Sequence, residues 1–163
     1  MGSGKTTVGR KLAALKKWNF IDLDEEIEKR LGKSINDIFS ENGEEFFRSK
    51  EAEILRSLNL SLPTVVSVGG GAPCHHDNMN YMLQTGRVVY LKMNPDEISR
   101  RVRKESEKRP LLKNIPAEEF DVFIKNKLEE RELFYCRAHI IADGNNPDIT
   151  SLINILSEVP GSG

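Results

Sequence analysis

The stretch GSGKTT, residues 2–7, constrains the fold of this chain more than any other feature. Val8, Leu12 and Leu15 follow at helical spacing, so a helix opens directly on the glycines. A helix entered this way presents unpaired backbone N–H groups and the positive end of its dipole, an arrangement suited to polyphosphate. Lys5 can then span phosphate oxygens, and the Thr6 hydroxyl can reach a divalent cation. Loops of this kind hang from a buried strand, and the full pattern G-x-x-x-x-G-K-[ST] needs a glycine before Met1. A Gly/Ser-rich leader followed by Lys-Thr would give the same letters, but not an amphipathic helix starting in register.

The rest of the chain alternates strand and helix. NFIDLD holds a short strand, Phe20 to Asp22, that ends in carboxylates. Two helical patterns follow, through DEEIEKRLG and SINDIFSENG, with Ser34 as an N-cap and Gly32 and Gly43 as C-terminal caps. EEFFRSKEAEILRSL predicts a longer helix. TVVSV is a continuous β-branched run of the kind buried on both faces, and it runs into Gly69, Gly70 and Gly71. RVVYLKM and HIIAD predict two further strands. Helices are expected through DNMNYMLQ, from Pro95, from Ala117 with Phe120, Phe123, Ile124 and Leu128 on one face, and through Ile149, Leu152, Ile153 and Leu156. Such alternation is the α/β signature, a parallel sheet covered on both sides.

At 163 residues the chain is one domain, 1–163, with Pro160 to Gly163 as a flexible tail. A net charge of -1 offers no general attraction to nucleic acid. No apolar run reaches membrane-spanning length. Cys74 and Cys136 lack C-x-x-C spacing, which favours free thiols in a reduced, cytoplasmic setting.

Several residues have functional and plain readings side by side. Asp22 and Asp24 sit two apart at the carboxyl end of a strand, where open α/β sheets bind ligands. They can equally cap the next helix and fill its first turn. Arg48 and Glu51 lie three apart on a helix: a surface ion pair, or a guanidinium fork for a carboxylate held by Glu51. The three glycines mark either a tight turn or a close approach by a ligand. Arg100 to Lys113, dense in charge and interrupted by Pro110, reads as a solvated helix end or as a lid that brings Arg109 onto phosphates. Neighbouring His75 and His76 lack a third ligand at metal spacing.

Taken in order, GSGKTTVGRKLA, FIDLD, GEEFFRSKE, VGGGAP, RPLL and a late R-x-x-F-Y resemble the shikimate kinase family from Gly2 to about Val159. The resemblance implies a three-layer P-loop kinase fold with parallel sheet order 2-3-1-4-5, shikimate-binding helices over 24–58 and a lid over about 103–116. It implies transfer of the ATP γ-phosphoryl group to the 3-hydroxyl of shikimate, with Mg²⁺ held by Thr6 and Asp22. ATP would be cradled by Gly2, Ser3, Gly4, Lys5, Thr6 and Thr7, with Arg101, Asn146 and Pro147 near the adenine and Arg109 on the transferring group. Shikimate would meet Asp24, the candidate base, the carboxylate-binding pair Arg48 and Arg131, the supporting Glu51, and Gly69, Gly70 and Gly71. Lys5, Asp24 and Arg109 carry the catalytic roles. Partners are shikimate and ATP, with neither nucleic acid nor membrane.

In one respect the chain departs from the family pattern. Four strands are identifiable, while the central first strand and the first loop glycine are absent from the sequence. Each buried strand side chain forgone costs about 1.5–3 kcal/mol. Three accounts follow: a trimmed or redesigned chain whose sheet closes up, a strand supplied by another chain, or a sequence without its true start. The chain is expected to be a monomer unless that strand comes from a second chain. Competing readings are another P-loop metabolite kinase, such as a gluconate or nucleoside-monophosphate kinase, and a catalytically weak nucleotide-binding module. Asp24 with two carboxylate-binding arginines argues against a nucleotide as acceptor.

Overall fold

A computed structural model describes residues 4–103, 116 and 119–157. Gly2, Ser3, Arg109 and the tail lie outside that range, as does most of the expected lid. Helix α1 (Lys5–Lys16) opens at Gly4, whose φ of 73° is open to glycine at little cost. Its buried residues Val8, Gly9, Leu12 and Ala13 pack on the first strands. The approach is close: a Cβ at Gly9 would stand 2.8 Å from the Phe20 ring.

Strand β1 (Asn19–Asp22) leads without a loop into α2 (Leu23–Leu31), because Asp22 is both the last strand residue and the N-cap. Gly32, at φ 65°, ends α2 as expected. Ser34 caps α3 (Ile35–Arg56) by accepting from the Asp37 N–H. Gly43, at φ 81° and ψ 176°, is non-helical and divides α3 into two helical segments across a kink, so the first segment ends there as expected and the second begins at once. Strand β2 (Thr64–Ser67) follows, then the glycines, a 3₁₀ turn at Ala72–Cys74 and α4 (Asn78–Thr85). The chain continues through β3 (Val89–Lys92), α5 (Pro95–Arg103), α6 (Phe120–Tyr135), β4 (Ile140–Asp143) and α7 (Ile149–Ser157).

All strand pairing is parallel, as the alternation predicted, yet it forms two separate sheets. β1 pairs with β2, Asn19 opposite Thr64 through Asp22 opposite Ser67. β3 pairs with β4, Val89 opposite Ile140 through Lys92 opposite Asp143. Among the described residues no ladder joins β2 to β3. Of the three accounts, the one in which the sheet closes up is not what the described residues adopt. For the same reason the β-branched strands are less covered than their sequences suggest. Val65, Val66, Tyr90 and Leu91 are all half-buried, because each pair lacks a neighbour on one side.

Each sheet has its own core. Leu23, Ile27, Ile38, Phe47, Ile54 and Leu55 fill the space under the first, and Met93, Ile98, Val102, Phe120, Ile124 and Leu128 serve the second. α7 crosses to α1, where Lys16 Nζ donates to Ser157 Oγ at 2.8 Å, and so ties one half to the other.

Candidate active site

The site forms where the first sheet ends. Register places the last residues of β1 and β2, Asp22 and Ser67, side by side, and α1 begins beside them. The Thr6 hydroxyl donates to Asp22 Oδ2 at 2.7 Å and lies 3.5 Å from Ser67 Oγ. Asp22 Oδ1 accepts the Asp24 backbone N–H at 3.0 Å. Asp22 therefore fills its capping reading with one oxygen, while the other oxygen faces the helix that opens on Gly4. Ser67, buried beside them, was missed in the sequence; only the Asp22–Ser67 register distinguishes it from any other strand serine.

A few ångströms on, a second cluster gathers around the glycine turn. A Cβ at Gly69 would lie 3.1 Å from Asp24 Oδ1 and 3.2 Å from Glu51 Oε1, so both carboxylates face that turn. Arg48 donates from Nη1 to Glu51 Oε2 at 2.8 Å. Its Nε and Nη2 reach Glu44 Oε1 at 3.3 and 3.2 Å, a contact that helical spacing alone could have suggested. Arg48 is 5% exposed and Glu51 0%, which removes the surface-pair reading. A Cβ at Gly71 would come within 2.6 Å of Arg48 Cζ, so this glycine is required for the guanidinium to lie where it does. The turn is a close approach rather than a bare bend.

Burial raises the Glu51 carboxyl above the ordinary glutamate range, and the Arg48 charge opposes that shift without overcoming it. Glu51 Oε1 is buried and has no hydrogen-bond partner among the described residues. Arg131, from α6, acts electrostatically on Glu51, Cys74 and His75, as Arg48 also does. Two guanidinium groups from distant parts of the chain thus converge on one corner. Burial and the Arg48 charge push the His75 imidazole down, which favours its neutral form. Gly70 contributes its carbonyl, which accepts the Tyr135 hydroxyl.

Lys5 opens α1, with Thr6 and Thr7 in its first turn and no side chain capping that end. The expected adenine residues lie on the other sheet. Arg101, on α5, donates to Glu97 at 2.7 Å and approaches the Met93 sulfur, while Met93 also packs against Gly144. Asn146 and Pro147 follow Gly144 in the loop to α7. Met93 therefore stands between Arg101 and that loop.

Among the described residues no helix is long and apolar enough to cross a membrane. The sequence profile of the shikimate kinase family matches residues 1–159. The shikimate kinase of Parabacteroides distasonis is 41% identical over 163 residues, covering 98% of this chain and 94% of that protein. That of Bacillus cereus is 38% identical over 158 residues, with 97% and 92% covered. The crystal structure of shikimate kinase from Bacteroides thetaiotaomicron superposes with a TM-score of 0.85 at 39% identity, covering 97% of this chain and 92% of the other. Shikimate kinase from Acinetobacter baumannii in complex with shikimate gives 0.84 at 34% identity, covering 97% and 87%. With its strands, phosphate-loop helix and paired arginines arranged in this way, the chain belongs to the shikimate kinase family.

Proposed function

We propose that this site moves the γ-phosphoryl group of ATP to the 3-hydroxyl of shikimate, giving ADP and shikimate 3-phosphate. The observation that carries the reading is the corner where Arg48 and Arg131 converge next to Asp24, one strand-end away from the start of α1. Shikimate is a small carboxylate with three hydroxyls. Paired guanidinium groups complement the carboxylate, and Asp24 complements a hydroxyl. Glu51 holds Arg48 in place, and Gly69 and Gly71 leave room for Asp24, Glu51 and Arg48 to face the turn.

Phosphoryl transfer depends chiefly on position and charge. The N-terminus of α1 and Lys5 hold the β- and γ-phosphates, with Gly2, Ser3, Gly4, Thr6 and Thr7 around them. Asp24 orients the acceptor hydroxyl and takes its proton as the bond forms. Arg109, by the family resemblance, stabilises the transferring group, and Arg101, Asn146 and Pro147 flank the adenine. The donor set beside α1 suits Mg²⁺: hard oxygens from Thr6 and Asp22, with phosphate and water left to supply the rest. When bound there, Mg²⁺ neutralises phosphate charge.

In this reading residues 24–58 form the shikimate-binding part, 103–116 the lid and 160–163 the tail, in a monomer acting in the cytoplasm. The two free thiols, Cys74 and Cys136, suit a reduced compartment. ADP release from MgATP by this chain, with and without shikimate, tests the function. Shikimate-dependent release is expected, and Lys5→Ala should lower kcat by about a thousandfold. Shikimate-independent release, or near-normal turnover in Lys5→Ala, would contradict the assignment.

A further inference from the structure

The glycine turn and Arg131 come from different halves of the molecule, one after β2 and the other on α6. Their relative position has to be set by something, since no strand ladder joins the halves among the described residues. We propose that Tyr135 is a positioning residue for the acid-binding corner: its hydroxyl holds the Gly70 carbonyl, fixing the turn against Arg48 while keeping Arg131 on the same face. This assignment rests on the shikimate reading above.

The geometry supports it at each step. Tyr135 lies four residues after Arg131, one helical turn along the same face of α6. Its hydroxyl donates to Gly70 O across a separation of 65 residues. Arg131 acts on the same phenol, both by charge and by a side-chain hydrogen bond. Burial pushes the phenol up to about 12, so it stays a donor throughout the working pH range. The ring itself is held from β3: Tyr90 stacks on it at 4.9 Å, and the Tyr90 hydroxyl donates to Glu132 at 2.9 Å.

The turn has a second tie downstream. Buried Asn78 donates to Ala72 O at 3.0 Å and accepts from Arg56 Nη1 at 2.6 Å, anchoring that end to α3. Tyr135 holds the upstream end. Gly71, between these ties, lies on the Arg48 guanidinium. A turn released at Gly70 moves Gly71, and Arg48 then gains freedom that carboxylate binding must take away again.

Tyr135→Phe tests this, because it keeps the ring stack and removes only the hydroxyl. Shikimate affinity without nucleotide, ATP affinity and melting temperature are measured, together with amide hydrogen exchange over residues 69–74 of the ligand-free chain. The expected result is a shikimate Kd raised about three- to tenfold, the size of one ordinary hydrogen bond. ATP Kd should stay within about twofold and the melting point should hold, while exchange over 69–74 quickens. An unchanged shikimate Kd, or equal weakening of both ligands with a lower melting point, overturns the proposal. If the unsubstituted chain binds no shikimate, the functional reading fails separately. Exchange then decides: faster exchange confined to 69–74 supports the tie, and unchanged exchange overturns it.

Discussion

Helix α3 carries two ion pairs of the same spacing. Arg48–Glu51 closes at 2.8 Å on its inner face, and Lys50–Glu53 closes at 2.7 Å on its outer face. By distance they are equivalent. Arg48 and Glu51 are nearly sealed from water, whereas the Glu53 side chain is 64% exposed. The outer pair competes with solvent at every moment and fixes nothing. The inner pair has lost its water, so its partners are committed to each other and to whatever enters beside them. Burial, not separation, makes one of them part of a site.

That contrast can be broken in order of expected effect. Arg48→Ala should raise the shikimate KM by about a hundredfold, the scale of a charge-assisted double hydrogen bond, with a much smaller change for ATP. Steady-state kinetics with each substrate varied would show it, and equal losses for both would remove Arg48 from the acid-binding corner. Glu51→Ala takes the buried partner from Arg48 and leaves a cavity, and should cost about 3 kcal/mol in urea unfolding.

Glu51→Gln, which keeps the shape and removes only the titration, should alter the pH profile instead. Because burial raises the folded-state value of Glu51, its contribution to stability is fully present below the ordinary glutamate value and is lost as pH rises through the raised one. Glu51→Gln should lack that loss, measured as melting temperature against pH. Gly71→Ala should displace the guanidinium and raise the shikimate KM about tenfold while ATP binding holds, since the added carbon meets only the end of a flexible side chain. Lys50→Ala, on the outer face, should leave the melting temperature unchanged within error. A clear drop there would erase the distinction between the faces.

The sequence could not separate these pairs, because what buries Arg48 arrives from far along the chain. The glycines at 69–71 close over it only once β1 and β2 are in register. Local features were legible. Ser34 and Gly32 bound their helices as their chemistry demands, and the β-branched runs became strands. The carboxylates ending β1 reached the site because strand ends point there by construction. Gly43 was legible too: with φ 81° it ends one helical segment, and the next starts directly after it. Ser67 carried no local signal, since it matters through a partner 45 residues away, and Tyr135 stood in the R-x-x-F-Y motif without a role of its own, since its partner lies 65 residues away.

The split sheet has a consequence for the molecule among its copies. Among the described residues, two two-stranded sheets have four strand edges, where a single four-stranded sheet would have two. Open edges are templates for pairing with other chains, and brevity is the defence here. Every strand is four residues long and closes on a polar residue: Asp22, Ser67, Lys92 and Asp143. Lys92 and Asp143 are exposed at their strand ends and discourage a neighbour from extending the ladder, whereas Asp22 and Ser67 are buried. Two of them, Asp22 and Ser67, also stand beside the phosphate-loop helix. The guard against pairing is therefore charge at the second sheet and burial at the first, and apolar replacements of Lys92 and Asp143 would cost solubility while sparing the candidate site.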